Sequence, residues 1–291
     1  MRVTTIIADD LTGAADAALA CWRPGARVRV SLPGDPPPAA SADLRALATL
    51  WRDEPAGHAA FAAALPARPD GVFIKVDSTL RGPLAEMLQA VHARWPGAPL
   101  VFCPALPAQG RTVRGGVLHV HGAPLPTPPG LPPMHDAQTD ADLAALVRVS
   151  PAHAVWVGSS GLAAAVADRL PPAPVSGSVE GPRVLVVAGS THPATQAQIR
   201  ELADPVVYDA EAGAALAPGY GALVATGGRT AARLLRALGE TGLDLAGSAE
   251  PGVPISRTGR WWMATKAGGF GDSGALARAC NALRAALRGL V

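Results

Sequence analysis

Residues 6–16 read IIADDLTGAAD. The apolar run of 3–8 has the continuity of an interior strand in a parallel sheet, where both faces are covered. Asp9 and Asp10 stand where such a strand ends, and an Ala-rich helix over 14–22 follows. Open α/β sheets bind their ligands there, outside the carboxyl ends of the strands. One acid at that place is explained as the N-cap of the helix, and Gly13 as a turn residue. Two adjacent acids exceed that need because only one can cap. Asp9, Asp10 and the Thr12 hydroxyl are therefore candidate ligand-binding groups.

The same pattern returns at 71–82, GVFIKVDSTLRG: a strand over 71–76, an acid, hydroxyls, a glycine, and then a helix over 83–95 with proline in its first turn. Lys75, Asp77, Ser78, Thr79 and Arg81 fall within seven residues. In the bland reading Ser78 or Thr79 caps the helix and Asp77 pairs with Arg81 on the surface. A helix start needs one cap, and here there are five polar groups. Ammonium, guanidinium and hydroxyls together suit an anionic, polyhydroxylated small molecule, the cations taking its carboxylate or phosphate and the acids its hydroxyls. Lys75 and Lys266 are the two lysines among 25 Lys and Arg residues. A bias that strong marks both as places where a compact ammonium is wanted.

Between and beyond these units the expected elements are a strand over 27–31, a Pro-rich loop over 33–43, a strand or helix over 44–51 and a helix over 58–65. A strand over 100–103 leads into a loop with Gln109, Arg111, Thr112 and Arg114. A hairpin arm over 116–121 carries His119 and His121, which have no recognisable third ligand and read as hydrogen-bonding or exposed, so no metal residue is assigned. A helix over 140–147, a strand over 154–157 and a glycine turn with a helix over 158–170 complete a first domain, 1–170. Residues 171–182, PPAPVSGSVEGP, have linker composition. They introduce a second domain, 183–291, so the expected architecture is α/β, with two mainly parallel sheets flanked by helices and an interdomain active-site cleft.

In the second domain three strands, 183–188, 222–225 and 261–265, each run into a glycine turn and a helix. The turns hold Ser190; Thr226, Gly227, Gly228 and Thr230; and Lys266, Gly268, Gly269 and Gly271. Glycines admit phosphate to the backbone amides, and helix starts aim positive dipole ends at it. One such turn is weak evidence, but three in one domain point to a nucleotide phosphate site. The spacing is neither GxxxxGKS nor GxGxxG, so an ordinary P-loop or dinucleotide fold is not indicated.

Composition narrows the function classes. At 291 residues and 49% hydrophobic content the chain can build two ordinary cores. A net charge of +2 without a basic block argues against nucleic acid as the main partner. With neither a secretory leader pattern nor an apolar run near about 18 residues, export and membrane insertion are unsupported and the cytoplasm is the default. Cys21, Cys103 and Cys280 are odd in number and widely spaced, as reduced, buried thiols would be.

A pocket for a small polyhydroxylated anion and a phosphate cradle together suggest phosphoryl transfer from ATP, with Mg²⁺ bridging the phosphates. Asp272, at the end of the glycine loop, is a candidate general base, and Asp9 and Asp10 are its rivals. Asp272, Asp10 and Lys75 are the catalytic candidates. A homodimer is compatible with this reading.

Taken together, ADDLTGAAD, KVDSTLRG, FCPALPAQGRTVRGG, GSSGLA, VAGSTHPATQAQI, ATGGRTA and TKAGGFGD, in this order from Ile6 to Asp272, resemble the four-carbon acid sugar kinase family, once known only as a domain of unknown function. The resemblance implies an N-terminal substrate domain, a C-terminal nucleotide domain, and ATP-dependent phosphorylation of the 4-hydroxyl of threonate, erythronate or 3-oxo-tetronate. It implies substrate contacts at Asp9, Asp10, Lys75, Asp77, Ser78 and Arg81, and ATP contacts at Ser190, Gly227, Gly228 and Gly269. The chain departs from the family in being shorter, between His121 and Asp140 and in the linker, and in carrying Arg229 where an acid is more usual. These departures leave open an alternative, a homologue that binds nucleotide or sugar acid without turnover.

Overall fold

The structure is a computed structural model that describes residues 3–23, 25–35, 42–151, 153–168 and 182–289. In chain order the first part carries β1 (Thr5–Ala8), α1 (Leu11–Cys21), β2 (Val28–Ser31), β3 (Leu44–Ala48), α2 (Gly57–Ala64), β4 (Val72–Lys75), α3 (Leu84–Arg94) and β5 (Leu100–Cys103). A small antiparallel sheet of β6 (Arg111–Arg114), β7 (Val117–Val120) and β8 (Ala123–Pro124) follows, then α4 (Asp140–Val149), β9 (Val155–Gly158) and α5 (Ser160–Val166). The remainder carries β10 (Leu185–Ala188), α6 (Pro193–Arg200), β11 (Val206–Val207), α7 (Ala210–Leu216), β12 (Ala222–Thr226) and α8 (Gly228–Ala237). It ends with β13 (Gly242–Glu250), β14 (Val253–Thr258), β15 (Trp261–Lys266) and α9 (Ala275–Leu287).

The chain divides into two compact units, Met1–Ala26 with Asp43–Leu170, and Arg27–Ala42 with Pro171–Val291. In the first, β3, β1, β4, β9 and β5 lie side by side and all pair in parallel. Register sets Ala48, Ala8, Lys75, Gly158 and Cys103 in one row, so every loop that leaves a carboxyl end of this sheet starts from the same edge. Ile6 and Ile7 are wholly buried, each contributing about 1.5–3 kcal/mol. α1 packs against α5 and β3 through Ala14, Ala15, Ala17 and Ala18, whose small side chains let the elements approach closely. It begins at Leu11, ahead of the expected residue 14, because Asp10 is extended (φ −143°, ψ 165°) and caps it.

The second unit has a parallel half, β11, β10, β12 and β15, and an antiparallel half, β14, β13 and β2. Ala188 is level with Thr226, and Thr226 with Lys266, so its three glycine turns also rise from one edge. The apolar face of α9 (Leu276, Ala279, Cys280, Leu283) packs with Val186, Val224, Ile255 and Ala264.

One expectation is corrected here. The strand placed in the first domain over 27–31 belongs to the second unit: β2 pairs antiparallel with β13, Val30 opposite Leu243. Asp35 fastens it there, accepting from Ser31 at 2.7 Å, Arg29 at 3.0 and 3.1 Å, and the Thr241 hydroxyl. The hairpin β13–β14, with shifts in register at Leu245/Gly247 and Ser248/Glu250, was not anticipated. The linker 171–182 lies outside the described residues except for Pro182. Cys21, Cys103 and Cys280 are buried and in no disulfide. Among the described residues no helix is long and apolar enough to cross a membrane.

Candidate functional site

At the carboxyl edge of the first sheet the two adjacent acids have different fates. Asp10 caps α1: its Oδ1 accepts from the Gly13 amide at 2.6 Å and from the Thr12 hydroxyl at 2.9 Å, and its Oδ2 meets Arg52 Nη1 at 2.5 Å. Burial alone would raise its pKa, but Arg52, Lys75 and the Gly13 amide outweigh it and hold the carboxyl below its ordinary range. Asp9 has Oδ2 gripped by Arg52 Nε at 2.8 Å and Nη2 at 2.6 Å, while its buried Oδ1 has no hydrogen-bond partner. At 1% exposure the cost of desolvation dominates and pushes Asp9 up to about 7, against the pull of Arg52.

Asp77 is the third acid. Its Oδ1 accepts from Thr79 N at 2.8 Å, Thr79 Oγ1 at 2.5 Å and Arg81 Nε at 3.1 Å, and its Oδ2 from Arg81 Nη2 at 2.7 Å and Arg52 Nη1 at 3.3 Å. Burial opposes ionisation, yet Arg81 and Arg52 hold Asp77 far below the carboxylate range. The bland reading of this stretch fails. α3 starts only at Leu84 without a side-chain cap, and the Asp77–Arg81 pair joins a buried carboxylate to Arg52 as well. Ser78 is also buried. Lys75 donates to Val76 O at 2.8 Å, and its Nζ lies 3.3 Å from where a Cβ on Gly13 would stand, so the glycine gives the ammonium room beside α1.

Arg52 is the residue that sequence reasoning missed. It bridges all three carboxylates, and they raise its pKa although burial alone would lower it. Its stretch showed poor alternation, and nothing local distinguishes this arginine from the other arginines of the chain. Backbone strain marks its loop in the structure: Leu50 (φ 60°) and Leu80 (φ 58°) are both buried and left-handed, on the order of 1–3 kcal/mol each, and they sit just before Arg52 and Arg81. Asp16 was also missed. It is buried one turn along α1 beyond Thr12, is hydrogen-bonded to Ser160, and has its pKa raised by burial against the pull of Lys75. Arg111 stands within electrostatic reach of Asp77 and Arg81. The His119 ring bonds its own strand at Val117 O (3.0 Å), and His121 is exposed.

In the second unit the three turns converge as expected. A Cβ on Gly268 would stand 2.0 Å from Ser190 Oγ, one on Gly189 1.6 Å from Thr230 Oγ1, and one on Gly227 (φ 96°) 3.7 Å from Ser190 N. At Gly268 and Gly189 only a residue without a side chain fits this closely, and at Gly227 it is the left-handed φ that favours glycine. Gly227 N donates to Lys266 O at 2.9 Å, and Gly228, Arg229 and Thr230 open α8 with their amides toward the same edge. Thr195 Oγ1 donates to Gly268 O at 2.7 Å and lies 3.5 Å from Thr226 Oγ1.

Lys266 and Asp272 depart from their expected roles. Lys266 is wholly buried, and its Nζ donates to Ala267 O at 2.9 Å, Phe270 O at 2.9 Å and Gly268 O at 3.4 Å. Its donors shape the glycine loop from beneath, and desolvation lowers its pKa to about 8. Gln198 Nε2 completes the scaffold by donating to Phe270, Gly271 and Asp272 carbonyls at 3.0, 3.2 and 2.7 Å. The Asp272 carboxylate is exposed and occupied by Arg278 Nη2 at 2.7 Å and Gly274 N at 2.9 Å. Arg278 lowers its pKa, the wrong direction for a base poised near neutrality.

Comparison with known proteins follows the same division. Residues 4–130 match the family model of a sugar-binding N-terminal domain, and residues 210–276 that of a nucleotide-binding C-terminal domain. A D-threonate kinase of Bordetella bronchiseptica is 30% identical over 397 aligned positions, covering 96% of this chain and 97% of that protein. The chain belongs to the four-carbon acid sugar kinase family. A second family member, the D-threonate kinase of Cupriavidus necator, is 31% identical over 413 positions with the same coverage. Both alignments are longer than the 291 residues here, so these kinases carry segments that this family member lacks. A solved Salmonella typhimurium LT2 protein, described as a candidate tRNA synthase, superposes with a TM-score of 0.71 at 19% identity over 97% of this chain and all of that one. That likeness concerns the fold alone.

Proposed function

We propose that this kinase-family chain transfers the terminal phosphoryl group of ATP to the 4-hydroxyl of a four-carbon sugar acid: threonate, erythronate or 3-oxo-tetronate. The observation that carries the reading is the cluster around Arg52. Three carboxylates and two further cations, Lys75 and Arg81, stand at one sheet edge within the part that matches a sugar-binding domain. Such a mixture satisfies both a carboxylate and several hydroxyls of one small ligand. The reading extends to D-threonate through the named activity of the two relatives.

The second unit fits a nucleotide phosphate chain. Gly189, Gly227 and Gly268 leave room that side chains would fill, and the amides that open α8, together with Ser190 and Thr230, supply donors. Lys266 and Gln198 act as positioning residues for the 267–272 loop. Among the described residues no group of three or more His, Cys, Asp or Glu forms a cation cage. Mg²⁺ would arrive on the phosphates, where it neutralises developing charge.

For the proton of the accepting hydroxyl the better acceptor is Asp9. Asp10 and Asp77 are fully bonded and firmly ionised, and Asp272 is bound to Arg278. Asp9 alone of these has a buried oxygen without a donor, which a substrate hydroxyl would supply. In the balanced step the hydroxyl oxygen bonds to phosphorus, ADP leaves with the bridging oxygen, and the hydroxyl proton passes to Asp9. Three buried thiols in no disulfide suit a reducing compartment, which supports a cytoplasmic reaction in this reading.

The test is ADP release, followed by a coupled assay over a panel of D- and L-threonate, D- and L-erythronate and 3-oxo-tetronate. Turnover with one of them is expected. Nucleotide binding without ADP release from any of them would overturn the kinase reading in favour of a non-catalytic binding protein.

A further inference from the structure

The phosphate-facing turns leave the nucleobase unplaced, and an aromatic residue at the same sheet edge places it. β11 is the outermost strand of the parallel half of the second unit and pairs with β10, Val186 opposite Val206 and Val187 opposite Val207. Tyr208 follows directly on β11 at its carboxyl end, just past the Val187–Val207 pair, while on the neighbouring strands Ala188 is level with Thr226 and Thr226 with Lys266. In a parallel sheet this is the edge from which the glycine turns after β10, β12 and β15 rise, so Tyr208 leaves the sheet on the same side as they do.

Tyr208 is 64% exposed, whereas the other large hydrophobic residues exposed among the described ones, Val117, Val149 and Leu216, are aliphatic. A lone surface tyrosine needs no explanation by itself. Two features set this one apart. It stands on a corner fixed from both sides: β11 precedes it, and Asp209 follows as the N-cap of α7, accepting from Ala212 N at 2.9 Å. Gly213 then brings α7 hard against β10, since a Cβ there would stand 2.7 Å from Val187 Cγ2. The backbone that carries Tyr208 is thus fixed at the carboxyl edge of the sheet, and the ring is open to solvent there.

We infer that Tyr208 is the stacking platform for the base of the bound nucleotide. A neutral aromatic face beside an anion cradle is the pairing of surfaces that a nucleoside phosphate presents in reverse, and stacking on an aromatic side chain is tolerant of base identity. The inference rests on the nucleotide-binding reading of this unit and adds to it the subsite that separates a nucleotide from a bare polyphosphate.

Calorimetric titration of the full chain with ADP and with inorganic tripolyphosphate tests it, comparing wild type, Tyr208→Ala and Tyr208→Phe. Stacking of this kind predicts that Tyr208→Ala weakens ADP roughly tenfold, leaves tripolyphosphate within twofold, and that Tyr208→Phe binds ADP like wild type. ADP affinity unchanged in Tyr208→Ala overturns the inference. So does an equal loss for both ligands, which would mean that the substitution disturbs the cradle itself. Wild-type chain that binds neither ligand overturns the nucleotide reading as a whole, an outcome distinct from either of these.

Discussion

Replacing Asp9 by Asn should make the protein more stable and less active at once. Asn keeps the shape of the neutral acid, so the substitution reads out what ionising Asp9 costs. A folded-state pKa raised from 3.8 to about 7 means that the native chain holds this proton more tightly than the unfolded chain. The stability contributed by that proton is fully present below about pH 4 and is lost as pH rises toward 7. Above 7 the loss is constant. At 1.36 kcal/mol per unit the difference reaches about 4 kcal/mol, an upper bound because the buried site can relax or admit water. Chemical denaturation of both proteins from pH 4 to pH 8 should give curves that diverge in favour of Asp9→Asn up to pH 7 and then run parallel. In the coupled assay the same variant should lose on the order of 10²- to 10⁴-fold in kcat, the usual contribution of a general base. The acid limb of the wild-type rate profile should disappear from whatever turnover remains. Denaturation curves that stay parallel from pH 4 to 8 would refute the account of Asp9 burial, and near-wild-type kcat would refute its role as proton acceptor.

Arg52→Ala removes the partner of three buried carboxylates and should cost about 3–5 kcal/mol in denaturant unfolding, with Arg52→Lys recovering only part because one ammonium cannot span all three. Lys266→Met leaves the Ala267, Gly268 and Phe270 carbonyls without their shared donor, so ADP affinity should fall in calorimetry while affinity for the sugar acid stays unchanged; equal losses in both would contradict a loop-shaping role. Gly268→Ala drives a methyl toward Ser190 Oγ, and an ADP affinity lower by about tenfold, roughly 1.4 kcal/mol, is the expected result.

Much of this was legible in sequence because it is local. A strand that ends in acids or glycines and restarts as a helix is written in consecutive residues, and both sheet edges assemble such turns from register alone: Ala8 with Lys75, and Ala188 with Thr226 and Lys266. What could not be read is which distant residue completes each site. β2 has the alternation of any half-buried strand, and its antiparallel partner β13 lies more than 200 residues away. Arg52 looks like a loop arginine until parallel pairing of β3 with β1 brings its loop beside Asp9.

Lys266 shows the limit from the other side. Its rarity as a lysine was real information, but rarity reports that an ammonium is required without saying what it faces. In the structure it faces carbonyls, and its three donors explain the requirement as well as a phosphate would. The pair that opens the chain carries the same lesson for the acids. Asp9 and Asp10 are indistinguishable in sequence, yet their surroundings separate them: Arg52, Lys75 and the Gly13 amide together outweigh burial at Asp10, whereas burial outweighs Arg52 at Asp9. Asp10 also accepts from the Gly13 amide and the Thr12 hydroxyl and stays ionised, whereas Asp9, one residue earlier, has Arg52 on one oxygen, an unpartnered second oxygen, and a pKa pushed up to about 7 by burial. Divergent environments for adjacent like groups are how a fold assigns binding to one and proton transfer to the other. The capping bond of α1 commits Asp10 to the helix start, and burial with an oxygen left without a donor makes Asp9 the chemically distinctive member of the pair.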